Sequence, residues 1–170
     1  MACELLKSIE GICEYQTSGV DRLWLANKKD ITEFSYDSGG TVTAITMATG
    51  TTFHEIVPAN DTATFADDLA VSGSRRNFAQ SVGFGIAALN QEILEILNII
   101  GLGKFVAIVE YDGQFRVFGH KGSGLTASEM PDVSGTAEAN DGNTEVTLIG
   151  SNKGKAPFVA SAVMTTLDLL

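Results

Sequence analysis

Short runs of apolar and β-branched residues, broken by clusters of glycine, asparagine and aspartate, fill the first third of the chain. Strands of about five or six residues separated by such turn clusters are typical of an antiparallel β meander. The many threonines suit this interpretation, because β-branched side chains pack well on a pleated surface. The pattern predicts strands over residues 22–26, 31–36, 41–47 and 52–57.

A longer hairpin is predicted next, with strands over 62–71 and 76–88 and its tip at Ser72-Gly73-Ser74. Since successive strand residues point to opposite faces, the second strand has one bulky apolar face and one face of small residues. The small face suits close approach of another backbone or a smooth surface, unless this is an edge strand weakened by glycine. The bulky face holds Phe78, Val82, Phe84 and Ile86, and the small face holds Asn77, Ala79, Ser81, Gly83, Gly85 and Ala87.

One helix is predicted, beginning after the N-cap residue Asn90 and ending at Gly101. Ile93, Leu97 and Ile100 recur at helical spacing and form a wide apolar stripe. Such a stripe has to pack against a sheet or a neighbouring subunit.

A second hairpin is predicted from Lys104 to Phe118, because Asp112-Gly113 supplies the positive φ angles of a two-residue turn. A polar, glycine-rich loop is expected from Gly119 to about Asn143. A strand over 144–149 follows, and residues 157–167 form a weaker β-like segment or tail. The chain is therefore expected to be mainly β.

The composition narrows the class of protein. The 170 residues fit one domain, and a hydrophobic fraction of 44% excludes an intrinsically disordered chain. The net charge of -10 argues against a protein that grips nucleic acid or an anionic membrane. Cys3 and Cys13 are expected to be reduced thiols. No signal peptide is expected, and the most apolar window, 93–109, is too short and broken to span a bilayer.

The residues that carry catalysis in other proteins are sparse. There is no Gly-x-Ser-x-Gly motif, and only two histidines are present. His54 is expected to be exposed on a strand, and His120 to be solvated in its glycine loop. The sequence therefore predicts no catalytic residue and no enzyme.

Metal and phosphate motifs are also incomplete. Asp67 and Asp68 are adjacent on a strand, so their side chains point to opposite faces and cannot chelate one ion. Residues 140–143 resemble a calcium loop but lack the downstream spacing of acids, and 150–155 are one residue short of a phosphate loop. No cofactor or metal is predicted. A β-rich chain with this much apolar surface favours assembly with copies of itself.

The order of elements resembles the tail-tube (major tail) proteins of long-tailed bacteriophages, over roughly residues 9–159. The resemblance implies a two-sheet β-sandwich or barrel of antiparallel strands with one flanking α-helix. It implies a single domain over 1–170, with an N-terminal arm at about 1–20 and a C-terminal tail at about 157–170. The likeness lies in the early meander, the hairpin 62–71 and 76–88, the helix 90–100, the hairpin 105–119, Gly124-Leu125 and the strand 145–150.

The same resemblance implies a homo-oligomer in which six copies form a ring and rings stack into a tube that carries DNA. The protein would be made in the host bacterial cytoplasm, reside in the virion tail and contact other tail proteins, without a membrane or cofactor. The small face would line a bore whose acidic excess avoids gripping phosphate, and the bulky face would pack on the helix. Residues expected at a subunit interface or the lumen are Phe78, Ala79, Ser81, Val82, Gly83, Phe84 and Asp67.

Other functions remain open at this point. A capsid decoration protein or a head–tail connector would also self-assemble. A monomeric carbohydrate- or receptor-binding module would need an exposed aromatic platform, and Trp24, the only tryptophan, lies in an apolar run that predicts burial. A small enzyme is the fourth alternative.

Overall fold

The computed structural model describes residues 19–58, 62–86, 90–136 and 140–167, with side chains at 132–136 and 140–143 outside the description. Most of the predicted N-terminal arm, with Cys3 and Cys13, lies outside these residues. The fold is mainly β, with two sheets and one long helix, as predicted. The strands are β1 (Arg22–Asn27), β2 (Ile31–Tyr36), β3 (Val42–Met47), β4 (His54–Ile56), β5 (Thr64–Ser72), β6 (Arg75–Ile86), β7 (Phe105–Tyr111), β8 (Gln114–Phe118), β9 (Thr126–Glu129), β10 (Asp132–Thr136), β11 (Asn140–Asn152) and β12 (Phe158–Val159), and the helices are α1 (Gln91–Leu102) and α2 (Ser161–Thr166).

The first sheet has seven strands in the order β2-β3-β12-β8-β7-β1-β4. The second has the order β10-β11-β6-β5, and β9 also pairs with β11. Both predicted long hairpins are confirmed, since Ser72 pairs with Arg75 and Tyr111 pairs with Gln114. Asp112 and Gly113 have φ angles of 50° and 69°, as the turn between β7 and β8 requires.

The predicted meander is only partly correct. Strands β2 and β3 form a hairpin, but β1 pairs with β7 and β4 instead of with β2. All the backbone pairing of β1 therefore involves segments distant in sequence. Local turn signals gave the strands correctly and could not give their neighbours.

Two apolar clusters hold these layers together. One lies where the second sheet and α1 meet the first sheet, and it contains Phe84, Leu97, Phe118 and Leu148. The other lies on the opposite face of β1, β7 and β8, and it contains Trp24, Phe53, Ile108 and Met164. Both faces of the central strands are thus buried, which explains the continuous apolar run over Phe105–Val109.

Helix α1 begins as predicted, with the Asn90 side chain accepting a hydrogen bond of 2.8 Å from the Ile93 N–H. Its end was predicted too early, because the helix continues through Gly101 to Leu102. A Cβ at Gly101 would lie 2.9 Å from Met130 Cε, the end of a flexible side chain that can move aside.

The region predicted as a loop over 119–143 contains more structure than expected. Strands β9 and β10 form within it and pair with β11, which itself begins at Asn140. The segment after Pro157 is β-like only at Phe158 and Val159, which bridge β8 and β3. Helix α2 follows and buries Val163 and Met164 in the second cluster.

Candidate functional site

The hairpin β5–β6 contains all the residues predicted for an interface or a lumen, and it separates them by face. Val82 and Phe84 have 1% and 2% of their surface exposed and belong to the core between the sheets. Their burial corrects their assignment to an interface or lumen, because the subunit's own residues enclose them. The bulky face does pack with helix α1, since Leu97 and Ile100 lie in the same cluster.

The small-residue face of β6 points outward. Ala79 is exposed, and Ser81 and Gly83 are partly exposed. A Cβ at Gly83 would lie 3.0 Å from Thr64 Oγ1, so the neighbouring strand already occupies that space. The division into two faces is confirmed, while lining a lumen stays a prediction for Ala79, Ser81 and Gly83.

The far part of the hairpin carries apolar side chains that the subunit leaves exposed. Leu69 and Val71 of β5 are 54% and 59% exposed. Leu69 pairs with Phe78, whose side chain is half-buried, and Val71 pairs with Arg76. Strand β5 is nine residues long and ends the strand order of the second sheet, so its outer edge has no strand partner among the described residues.

A second apolar surface lies at another terminal strand of the fold, in the first sheet. Strand β4 ends the order of the first sheet, and a cavity of about 470 Å³ separates it from α1. Ile96 and Ile99 line that cavity and are 45% and 62% exposed. The predicted stripe of Ile93, Leu97 and Ile100 does pack against the core. The periodicity did not predict that Ile96 and Ile99, beside that stripe, stay exposed.

Asp67 and Asp68 have opposite surroundings, as predicted. The Asp67 carboxylate is buried and accepts a hydrogen bond of 2.7 Å from Arg116 Nη2 and another of 2.7 Å from the Ala156 N–H. Arg116 Nη2 also donates to the Ala156 carbonyl at 2.9 Å. Asp68 is exposed. This side chain joins β5 to β8 and to the segment that follows β11. The assignment of Asp67 to an interface or lumen stays a prediction, and only its backbone on β5 is left to serve it.

Gln80 forms a second buried polar junction. Its Oε1 accepts a hydrogen bond of 3.1 Å from the Gly119 N–H and one of 2.8 Å from Asn152 Nδ2. One side chain thus fixes the start of the loop after β8 and the end of β11. The sequence signal that could have indicated this junction is a polar residue between Phe78 and Val82 on the bulky apolar face.

His120 overturns the expectation of a solvated loop histidine. Only 6% of its surface is exposed, and its ring meets the rings of Phe34 and Tyr36 edge-on at 6.1 and 6.3 Å. Burial, helped by the charges of Lys121 and Lys28, lowers its pKa to about 4, while Asp67 opposes the shift. The imidazole is therefore neutral at pH 7. Its Nδ1 has no hydrogen-bond partner among the described residues.

The remaining candidates add little chemistry. His54 is exposed, as predicted, and Trp24 is buried with 1% of its surface exposed. Residues 150–152 belong to strand β11, so they do not form the phosphate loop that precedes a helix. The side chains of 140–143 lie outside the described residues.

Neither a metal site nor a membrane span was found in the described part of the chain. No group of three or more His, Cys, Asp or Glu side chains there could hold a metal ion. None of the helices in that part is long and apolar enough to cross a bilayer.

Comparison with protein-family models, curated proteins and solved structures gave no match. The surfaces described above therefore provide the argument for function.

Proposed function

We propose that this chain is a virion structural protein that self-assembles into hexameric rings, stacked as the tail tube of a long-tailed bacteriophage. The tube is the conduit for DNA, and the protein acts through its shape without catalysis. It is made in the host cytoplasm and resides in the virion tail, where it contacts other tail proteins.

The observation that carries the proposal is the open edge of β5. Natural proteins protect edge strands with charges, proline, bulges or short length, because an exposed edge pairs with another chain. Strand β5 is nine residues long and exposes Leu69 and Val71 near its end, next to one exposed charge, Asp68. An edge of this kind favours completion by a second copy.

The outer face of the second sheet supports the tube as the form of assembly. Because Ala79, Ser81 and Gly83 have small side chains or none, the surface that β6 contributes to this face is smooth. The chain's net charge of -10 would repel DNA phosphates and so help DNA to slide. The order of elements that resembles tail-tube proteins is the second support.

The first experiment is negative-stain electron microscopy of the concentrated full-length protein, with light scattering on the same sample. Tubes or stacked rings support the proposal. Flat lattices, or isolated rings that never stack, favour the alternative of a capsid decoration or head–tail connector protein. A monomer at high concentration contradicts self-assembly.

A matched pair of variants tests the edge itself. In Leu69→Lys/Val71→Lys, charges placed on the open edge should prevent rings and tubes while the fold is kept, because both side chains are exposed. The control, Ala44→Lys/Thr46→Lys, adds the same two charges at exposed positions of β3, an interior strand of its sheet, and should still assemble.

Circular dichroism and thermal melting of both variants should match the wild type. Assembly of the β5 variant to wild-type tubes would rule out this edge as the interface. Loss of assembly in both variants would show that added charge alone is responsible.

A further inference from the structure

A pocket of about 380 Å³ lies at the corner of the molecule where the loops after β8 and after β11 meet. Its volume is sufficient for a small ligand. Among the described residues, no carboxylate lines it. The lining residues are Tyr36, Gly40, His120, Lys121, Lys153, Gly154, Lys155 and Pro157.

Buried side chains hold the ends of the two loops that form this pocket. Gln80 holds Gly119 and Asn152, the residues from which they start. The Asp67–Arg116 pair holds both backbone groups of Ala156. The pocket is thus preorganised by buried side chains, and ligand binding does not have to order the loops.

The pocket concentrates positive charge in an acidic protein. Lys121, Lys153 and Lys155 line it, although the chain has only 11 basic residues against 21 acidic ones. The two ion pairs of the described residues use arginines, so these three ammonium groups have no carboxylate within 4 Å there. All three lysines are exposed, and Lys121 Nζ lies 5.2 Å from the centre of the Tyr36 ring. An anion in the pocket would offset the repulsion among the three positive charges.

His120 supplies an independent sign of a ligand. Its ring nitrogen Nδ1 is buried and has no partner in the described part, although buried polar atoms normally form hydrogen bonds. A neutral imidazole has one N–H donor and one acceptor nitrogen, so it can donate to an anion without carrying a charge. The Tyr36 side chain lines the same pocket.

We propose that this pocket binds a phosphate group, held by Lys121, Lys153 and Lys155, with His120 at its buried wall. Lysine binds phosphate as a point charge, and several cations suit a multiply charged anion better than a single carboxylate. The phosphate comes either from a free phosphate compound or from a nucleic-acid backbone. The site does not depend on assembly, because one subunit supplies all its residues.

The test is ³¹P NMR of inorganic phosphate titrated with the full-length protein at pH 7 and constant ionic strength. Wild type should give saturable line broadening. In Lys121→Gln/Lys153→Gln the affinity should fall about tenfold or more, since hydrogen bonds to charged groups contribute strongly. The control, Lys29→Gln/Lys104→Gln, removes the same charge from the rim of a neighbouring cavity and should bind as wild type does.

His120→Phe is the second variant, because phenylalanine keeps a ring against Phe34 and Tyr36 and removes Nδ1. It should fold and bind phosphate several-fold more weakly. Equal weakening in both lysine variants would mean general electrostatic attraction and would overturn the site. Absence of saturable broadening with wild-type protein would overturn it too.

Fluorescence anisotropy with a labelled 12-nucleotide single strand and the matching duplex distinguishes the sources. Oligonucleotide binding that inorganic phosphate displaces, and that the pocket variant loses, identifies a nucleic-acid backbone. Phosphate binding without oligonucleotide binding identifies a free phosphate compound. Oligonucleotide binding that is equal in wild type and the pocket variant, with no binding of inorganic phosphate, contradicts the proposal.

Discussion

His120 shows how surroundings change the chemistry of a single side chain. In the sequence it lies between glycines and a lysine, which predicts exposure. In the fold, Phe34 and Tyr36 meet its ring, and Lys28 donates to its backbone carbonyl. Burial and two nearby cations both oppose its protonation, so it stays neutral where a free histidine begins to titrate.

This neutral histidine predicts a loss of stability in mild acid. The unfolded chain binds a proton at His120 near pH 6.5, but the folded chain binds it only near pH 4. Between these values the unfolded state holds more protons, so the free energy of unfolding falls as the pH falls and levels off below pH 4. The contribution of His120 is of the order of 2–3 kcal/mol.

Urea unfolding at pH 7 and pH 5 measures this effect. Wild type should lose stability between the two pH values, and His120→Phe should lose clearly less. The same pH dependence in both proteins would mean that groups other than His120 determine it.

At the scale of elements, the two sheets are joined by polar contacts as well as by the apolar core. Asp67 on β5 reaches Arg116 on β8 across the sandwich. A buried ion pair of this kind is weak evidence for stability in itself. Removing one partner is nevertheless costly, because it leaves the other charge buried and unpaired.

The neighbouring aspartates provide a matched test of this junction. Asp67→Asn should lower the free energy of unfolding by about 3 kcal/mol, since Arg116 loses its carboxylate in a buried place. Asp68→Asn makes the same chemical change on the exposed face and should alter it by less than about 0.5 kcal/mol. Chemical denaturation of both variants measures the difference, and equal values would mean that the pair does not join the sheets.

The elements also show how far local pattern reaches. Residues of β6 alternate as the sequence predicts, and Asn90 begins α1 as predicted. Strand β9 was missed because its segment, Thr126–Glu129, lacks a strong apolar alternation and forms by pairing with β11. Where pairing with a distant strand stabilises an element, its own composition is a poor guide.

At the scale of the whole molecule, the first sheet has charges of opposite sign at its two ends. Asn27 pairs with Phe105 at one end, and Arg22 pairs with Glu110 at the other. Arg22 forms an ion pair with Glu55. The Asp30 carboxylate accepts a hydrogen bond from the neutral Asn27 amide, so it keeps its charge and reduces the positive charge of the basic end by one. The basic end carries Lys28, Lys104 and Lys121, and the acidic end carries Asp21, Glu110 and Asp112.

This arrangement predicts salt-sensitive stacking if rings stack along the strand direction. The basic end of one ring would then meet the acidic end of the next. Raising sodium chloride from 0.1 M to 1 M shortens the screening length from about 10 Å to about 3 Å, so tubes should shorten or separate into rings. Electron micrographs of tube length at both concentrations measure this. Unchanged or longer tubes at 1 M salt would show that apolar contacts hold the rings together.

Much of the candidate assembly surface could be predicted from sequence, but the basic pocket could not. The small face of β6 follows from period-two alternation over Asn77–Gly85, which is a local property. The pocket requires Tyr36, His120 and Lys153, three residues from three distant segments. Only their packing brings them together, so no spacing in the sequence indicates them.

Local sequence patterns were enough to predict most of the strands, the hairpin turns and the start of α1, because alternation, positive-φ turn residues and capping act between neighbouring residues. Only the tertiary structure shows which strands pair. It also shows that Asp67 and His120 are buried while Asp68 and His54 are exposed. Those outcomes depend on contacts between distant segments, such as Gln80 with Gly119 and Asn152. The free energy of such contacts comes from desolvation and pairing in the folded state. It therefore cannot be inferred from the residues next to each partner in the sequence.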